Sequence, residues 1–356
     1  MKAARPPWEF EMSDPDSVVM TLAAAQALAE RALAASGASP EVAPSVAHSC
    51  VRPEAEGLAS VGLTHLLDYC TALQAGRVDG TAQPEYARPS PVLFQADARG
   101  GFPTCAFDAL CSEFSGAVRE YGIGLLAVRN GYTCGALGYY AGRLAEQGLV
   151  ALAASNAGPA LLAASGSTQA VFSTNPLAFA APRAGGAPLL IDQSSSHSAF
   201  VNIQAAAREG RAIPSGWALD SDGEPTTDPQ AAMAGVLLAF GGSRGANIAL
   251  MVELLAAGLT GSNWSLDAPA FNAGDACPGV GLCLIAINAE LLGDDFAVRS
   301  DAYLKRLESG YGAYLPGARR AANRARAEAQ GIEVAGEVIR QLRQIAESTS
   351  HDSTEG

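Results

Sequence analysis

Between Gly124 and Ile287 the apolar residues fall into short runs parted by Gly, Asn, Ser and Pro: Gly124 to Val128, Leu149 to Ala154, Leu177 to Ala181, Leu189 to Ile191 and Gly279 to Ile287. Runs of this length bounded by turn formers read as strands. They constrain the chain strongly, because strands must pair into a sheet with at least one buried face. On both sides the period is helical. Helices are expected from Asp16 to about Ser36, with Asp16 or Ser17 as N-cap, from Pro40 to Val51, and from Leu63 to Ala75 before Gly76. Two more interrupt the strands, at Gly135 to Glu146 and Gly245 to Leu259, and the end of the chain reads as helices from Asp294 to Ser309 and Ala318 to Glu347. The pattern predicts an α/β (α+β) chain. A sheet domain over 120–292 joins a discontinuous helical domain over 17–119 and 293–346, and the polar ends 1–16 and 347–356 are expected to be mobile.

With 356 residues, 49% of them hydrophobic, the chain can fill a two-domain core. A formal net charge of -13 argues against a nucleic-acid surface, which needs clustered basic residues. Seven cysteines with no C-x-x-C pair suit reduced thiols in a cytoplasmic protein better than a disulfide framework or structural zinc, and no metal is expected. The acidic N-terminus does not read as a signal peptide. The most apolar long window, Gly148 to Gly166, is cut by Asn156, Gly158 and Pro159, so it reads as strand and turn, not as a membrane span.

One string is a decoy. Gly122-Ile-Gly124-Leu-Leu-Ala127 matches the G-x-G-x-x-A dinucleotide fingerprint, but that motif requires a strand before it and a helix opening after it, whereas here it runs into a strand.

Four blocks, in order, are more specific. They are EAEGLASVGLTHLLDYCTALQAGRVDG (54–80), VRNGYTCGALGYYAGRLAEQG (128–148), STNPLAFAAPRAGGAPLLIDQSSS (173–196) and GGSRGANIALMVELLAAGLTG from Gly241. Together they resemble the malate/L-lactate dehydrogenase-like family across about residues 20 to 345, and the last is most similar to its pyrroline- and piperideine-2-carboxylate reductase branch. The resemblance implies a largely antiparallel, non-Rossmann NAD(P)H-binding domain beside a helical domain, and a homodimer. It places Ser173, Thr174, Asn175, Pro176, Asp192, Gln193, Ser194, Ser243, Arg244 and Gly245 against the cofactor. Ser60, Tyr132 and His65 fall around the substrate, and Asp192, His65 and Thr133 at the reacting centre. The residues also carry readings of their own. Thr174-Asn175-Pro176 offers a hydroxyl and an amide for a ribose or carboxamide, or is an ordinary turn at the start of a strand. Gly241 to Gly245 opens a helix whose free N–H groups and guanidinium suit a phosphate, or is a cap with a solvated arginine. Arg244 suits the 2'-phosphate of NADPH or the pyrophosphate that NADPH shares with NADH.

The departures from the family pattern bear on the chemistry. Where the family has a histidine after the serine of its first block, this chain has Val61. Its arginine four residues on is His65 here, and its loop histidine is Thr133. Asp192 aligns with the family's aspartate, as a charged group or as a helix cap. Reducing a ketone requires a proton donor for the developing oxyanion, whereas an iminium needs its positive charge stabilised. The residues thus point to an NAD(P)H-dependent reductase of cyclic imine carboxylates using NADPH, with NADH as the other option. The alternatives are a 2-hydroxy-acid dehydrogenase with an acid rebuilt from His65 or Tyr132, and a non-redox metabolite-binding homologue.

Overall fold

The computed structural model describes residues 16–293 and 295–348; most of the two expected tails, His351 among them, lies outside these. The N-terminal part forms β1 (Val18–Met20), α1 (Leu22–Ala35), α2 (Ala43–Ala55) and α3 (Leu63–Gln74). The first helix starts later than expected. Val18 to Met20 pair antiparallel with a strand near the other end of the chain, and Thr21, not Asp16 or Ser17, caps α1 by accepting from the Ala24 N–H at 3.1 Å.

The middle of the chain builds β2 (Glu85–Ser90), β3 (Leu93–Asp97), α4 (Pro103–Tyr121), β4 (Ile123–Gly131), α5 (Gly138–Glu146), β5 (Val150–Ser155), β6 (Leu162–Ala163), β7 (Ala170–Phe172), β8 (Leu177–Ala181) and β9 (Leu189–Gln193). There follow α6 (Phe200–Arg208), β10 (Ala218–Leu219), β11 (Pro225–Thr226), α7 (Pro229–Ala234), β12 (Val236–Leu237), α8 (Ser243–Glu253) and β13 (Val280–Ile287). The chain closes with α9 (Phe296–Tyr311), α10 (Ala318–Gln330), β14 (Ile332–Val334) and α11 (Gly336–Glu347). The single helix expected over 318–347 is therefore two. Gly331, at φ +89°, lies so close to β1 that a Cβ would come within 2.6 Å of the Met20 carbonyl oxygen, and β14 turns aside there to pair with β1.

The main sheet has the order β2-β3-β4-β13-β5-β8-β9 and is antiparallel except between β3 and β4. That one parallel pair requires a crossover, which α4 supplies. The sheet therefore recruits 85–97, before the expected start at residue 120, and Phe107 and Phe114 of α4 lie in the sheet's own core with Tyr140 and Leu144 of α5. The continuous apolar run of β13 fits its central place, covered on both faces. On its second face a π-helical turn (Leu254–Gly258) continuing α8 lies so close that a Cβ at Gly281 would sit 1.9 Å from the Ala256 carbonyl. A smaller sheet, β11-β10-β12-β6-β7, packs with α6 and α7.

Of the terminal helices, α10 and α11 return to the N-terminal ones, and Ile339 and Leu342 share one buried cluster with Leu28, Leu33, Val46 and Leu66; α9 instead meets the turn between β8 and β9, where Asp301 pairs with Arg183. The dinucleotide decoy is resolved: Gly122 is the left-handed C-cap of α4, and the string after it is β4. All seven cysteines are free, and no helix among the described residues is long and apolar enough to cross a membrane.

Candidate active site

Glu54, in the last turn of α2, accepts the Leu63 N–H at 2.7 Å and so caps the start of α3. Gly62 is needed between them, since a Cβ there would lie 2.2 Å from the carboxylate. Burial pushes the Glu54 carboxyl up, against the lowering effect of the Leu63 hydrogen bond. Two residues into α3 stands His65, its Nδ1 3.0 Å from Asp68 Oδ2 and its ring centroid 4.5 Å from that of Tyr69. Tyr69 is buried, and its hydroxyl accepts a hydrogen bond from Thr133 Oγ1 at 3.0 Å. His65 and Thr133, read from separate blocks, are thus joined through Tyr69, a residue that sequence reasoning missed. A tyrosine one turn after a histidine has the spacing to stack on it, but nothing in the sequence ties it to residue 133.

The other expected substrate contacts divide. Ser60 is exposed on a short 3-10 turn (Ala59–Val61) just before α3. Tyr132 is 1% exposed, packs against Phe102 and Tyr69, and donates its hydroxyl to the Phe271 carbonyl at 2.6 Å. As found, Tyr132 is an internal anchor and not a free substrate contact. Burial pushes its phenol up, and burial pushes the neighbouring Cys134 thiol up to about 12, so both stay neutral near neutral pH.

Asp192, at the end of β9, closes the start of α5. Its Oδ2 accepts the Gly138 N–H and a guanidinium N–H of Arg320 from α10, each at 2.9 Å. Of the two readings of Asp192, a charged group and a helix cap, the structure thus shows a cap of α5 that is also ion-paired through Oδ2, which discounts its field at a reacting centre. Arg320 borders a cavity of about 250 Å³ between α2, α5 and α10, whose wall also holds Arg52 and Arg324. Both of these grip Glu146, at 2.7 and 2.6 Å. Burial raises the Glu146 pKa, but the hydrogen bonds and charges of Arg52 and Arg324 outweigh it and hold the group below its ordinary value. Sequence reasoning missed these three arginines, which sit in helices read only for their period.

Asn175, at φ +37°, is completely buried. Its amide donates to the Ala249 carbonyl at 2.9 Å and to Glu253 at 2.7 Å, while Ser265 donates to the same carboxylate through its N–H at 2.6 Å and its hydroxyl at 2.8 Å. The Asn175 amide nitrogen therefore ties the start of β8 to α8, while its Oδ1 is buried without a hydrogen-bond partner among the described residues. Ser173 is also buried, whereas Thr174 and Pro176 are half-buried. From Asp192 the chain runs through exposed Gln193 and half-buried Ser194, whose hydroxyl meets that of Ser196 at 2.9 Å, to Ser196, which bridges to Ala239. Beyond Ala239 lies the glycine-rich opening of α8. Gly241 and Gly242 take φ of +58° and +64°, and Gly245 leaves no room for a side chain, a Cβ coming 2.1 Å from the Phe240 carbonyl. Ser243 and Arg244 are exposed there.

The run from Asp192 to Ser196 thus links two features: a cavity whose wall holds Arg52, Arg320 and Arg324 with Glu56, Glu146 and Glu328, and a helix start without a side-chain cap beside an exposed arginine. Of the remaining described histidines, His48 bonds the Tyr139 hydroxyl at 2.9 Å, with burial and then Arg143 lowering its pKa, and exposed His197 lies beside Trp217. No group of three or more His, Cys, Asp or Glu side chains among the described residues could hold a metal ion.

Against known proteins, the profile of the malate/L-lactate dehydrogenase family matches residues 20–343. The Delta(1)-pyrroline-2-carboxylate/Delta(1)-piperideine-2-carboxylate reductase of Pseudomonas syringae pv. tomato is 38% identical over 322 residues, 90% of this chain and 94% of that one. The (2R)-3-sulfolactate dehydrogenase (NADP(+)) of Chromohalobacter salexigens is also 38% identical, over 93% of this chain and 99% of its own length. The crystal structure of the P. syringae delta1-piperideine-2-carboxylate reductase superposes with a TM-score of 0.88 at 37% identity, covering 92% of this chain and 99% of that one.

Proposed function

The chain belongs to the malate/L-lactate dehydrogenase family, and from that premise we propose that it is an NAD(P)H-dependent reductase of small cyclic imine carboxylates, with products of the proline and pipecolate type. Several relatives at 33–38% identity bear reductase names of this kind. The observation that carries the reading is how the reacting groups are engaged. Asp192 is paired with Arg320 and Gly138, and the Thr133 proton is directed to Tyr69. Of these three groups, only His65 keeps a nitrogen, its Nε2, without a protein partner among the described residues, and it is the one that can hand over a proton as an imidazolium. One imidazolium can protonate an imine nitrogen before hydride transfer, because that nitrogen is itself basic. A carbonyl oxygen is far less basic and needs donors converging on it in the transition state.

The dihydronicotinamide, when bound, supplies the hydride. NADPH is supported by the cluster of Arg52, Arg320 and Arg324 at one cavity, where the guanidiniums now paired with Glu146 and Asp192 would have to be shared with an extra phosphate. Arg244, at the start of α8, suits the pyrophosphate. A homodimer is supported by the outward face of α8 and the turn after it, where Leu250, Met251 and Leu254 are exposed near Leu259 and Trp264, an apolar surface that a second copy would cover.

The second reading, a 2-hydroxy-acid dehydrogenase, is favoured by the similarity to the sulfolactate dehydrogenase. Following NADPH and NADH oxidation with pyrroline- and piperideine-2-carboxylate against pyruvate, oxaloacetate and sulfopyruvate separates the two. Faster turnover of any of the keto acids would overturn the imine reading.

A further inference from the structure

The geometry points to Asp68 as a positioning residue that fixes which nitrogen of His65 delivers the proton; the inference rests on the imine-reductase reading above. Asp68 Oδ2 lies 3.0 Å from His65 Nδ1, one turn along α3, while the Tyr69 ring supports the imidazole at 4.5 Å. A carboxylate accepts only, so Nδ1 carries a hydrogen in both charge states of the ring and Nε2 becomes the atom that gains and loses the proton. The pair is also needed electrostatically. His65 lies in the first turn of α3, where the helix dipole opposes a cation, and the Asp68 anion offsets that field. The carboxylate itself is more than half exposed, and an i to i+3 pair with one exposed partner contributes little to stability.

In the reaction the imine nitrogen takes the proton from Nε2 and becomes an iminium. A bound dihydronicotinamide would supply the hydride that the iminium carbon needs. A C–H bond forms, the C=N π pair becomes the nitrogen lone pair, the imine is reduced to a secondary amine and the cofactor is oxidised. His65 is left neutral, protonated on Nδ1 and held by Asp68, until solvent returns the proton to Nε2.

The test combines a spectroscopic and a kinetic readout on the full chain. Imidazole ¹⁵N shifts should show neutral His65 protonated on Nδ1, and Asp68→Ala should move the hydrogen to Nε2. Single-turnover reduction of piperideine-2-carboxylate should slow roughly tenfold in Asp68→Ala with KM little changed, and Asp68→Glu should restore most of the rate. In a His65→Gln background Asp68→Ala should cost nothing further. An Nε2–H tautomer in the unaltered protein, or an equal loss in the His65→Gln background, would overturn the inference. Should no cyclic imine be reduced at all, the functional reading fails, and the tautomer measurement still decides whether Asp68 positions the ring.

Discussion

A guanidinium nitrogen of Arg320 lies 2.9 Å from Asp192 Oδ2, so a helix formed late in the chain completes the end of a strand in the sheet. The two side chains are 20% and 12% exposed, and Asp192 also caps α5. Arg320→Ala therefore leaves a largely buried carboxylate with one partner and should cost about 1 to 3 kcal/mol of stability, read as a lower urea midpoint. Asp192→Asn, which keeps an acceptor for Gly138, should cost less. Equal losses in the two variants would mean that the ion pair, which both remove, sets the cost and that the stranded charge adds nothing.

Cofactor preference can be assigned to one of two places. Arg324→Ala should lower the preference for NADPH over NADH by about tenfold, because a charge-assisted contact to phosphate contributes about 1.5 to 3 kcal/mol. Arg244→Ala should weaken both cofactors alike. Calorimetric titration of the two variants with each cofactor gives the answer, and the reverse pattern would put the 2'-phosphate at the start of α8.

Glu253 is 5% exposed and receives three hydrogen bonds, from Asn175 and twice from Ser265. Its removal strands buried donors on two segments. Glu253→Ala should lower stability by about 2 to 4 kcal/mol, measured by thermal unfolding followed by circular dichroism. A loss within about 0.5 kcal/mol would show that water replaces the carboxylate readily.

The pH dependence of α10 docking follows from Glu146. Its folded pKa is lowered, so the stability that it contributes is present above the unfolded value of 4.5 and is lost as pH falls through the folded one. About a third of the side chain is exposed, which limits the effect to the modest range of surface pairs. Protection factors of α10 amides, that is exchange corrected for its intrinsic pH dependence, should fall below that pH. Glu146→Gln should show faster exchange already at neutral pH, with less dependence on acid.

Association is testable through Leu254, 54% exposed on the outer face beyond α8. Light scattering should report a dimer for the unaltered chain and a monomer for Leu254→Glu, since a charge facing an apolar partner is costly to bury. A dimer that survives this change must use another surface.

Much of the fold was legible along the chain. Strands at Leu177 to Ala181 and Gly279 to Ile287 and a helix after Gly62 showed in local period and in bounding Gly and Pro, because these report on burial of one face or both. The hairpin of β2 and β3 was not, since Glu85 to Ser90 is almost wholly exposed and carries no alternation to read. The split of the last helix was hidden likewise, because Gly331 matters only through the distant Met20 carbonyl that it approaches.

The sequence by itself determined the class of fold and the family's blocks, through runs of residues close together in the chain. It also fixed the absence of histidine at Val61 and Thr133. What each site residue is free to do was decided by tertiary structure. Asp192 looks like an available anion until Arg320 and the Gly138 N–H are placed beside it. Asn175 looks like a free donor for a ribose until Glu253 and the Ala249 carbonyl take its amide hydrogens, and Tyr132 like a donor until the Phe271 carbonyl accepts its hydrogen bond. The physical reason is common to all three. A polar side chain acts through whichever partner lies within hydrogen-bonding distance, and for these residues that partner lies dozens of positions away in sequence, where no local pattern reaches.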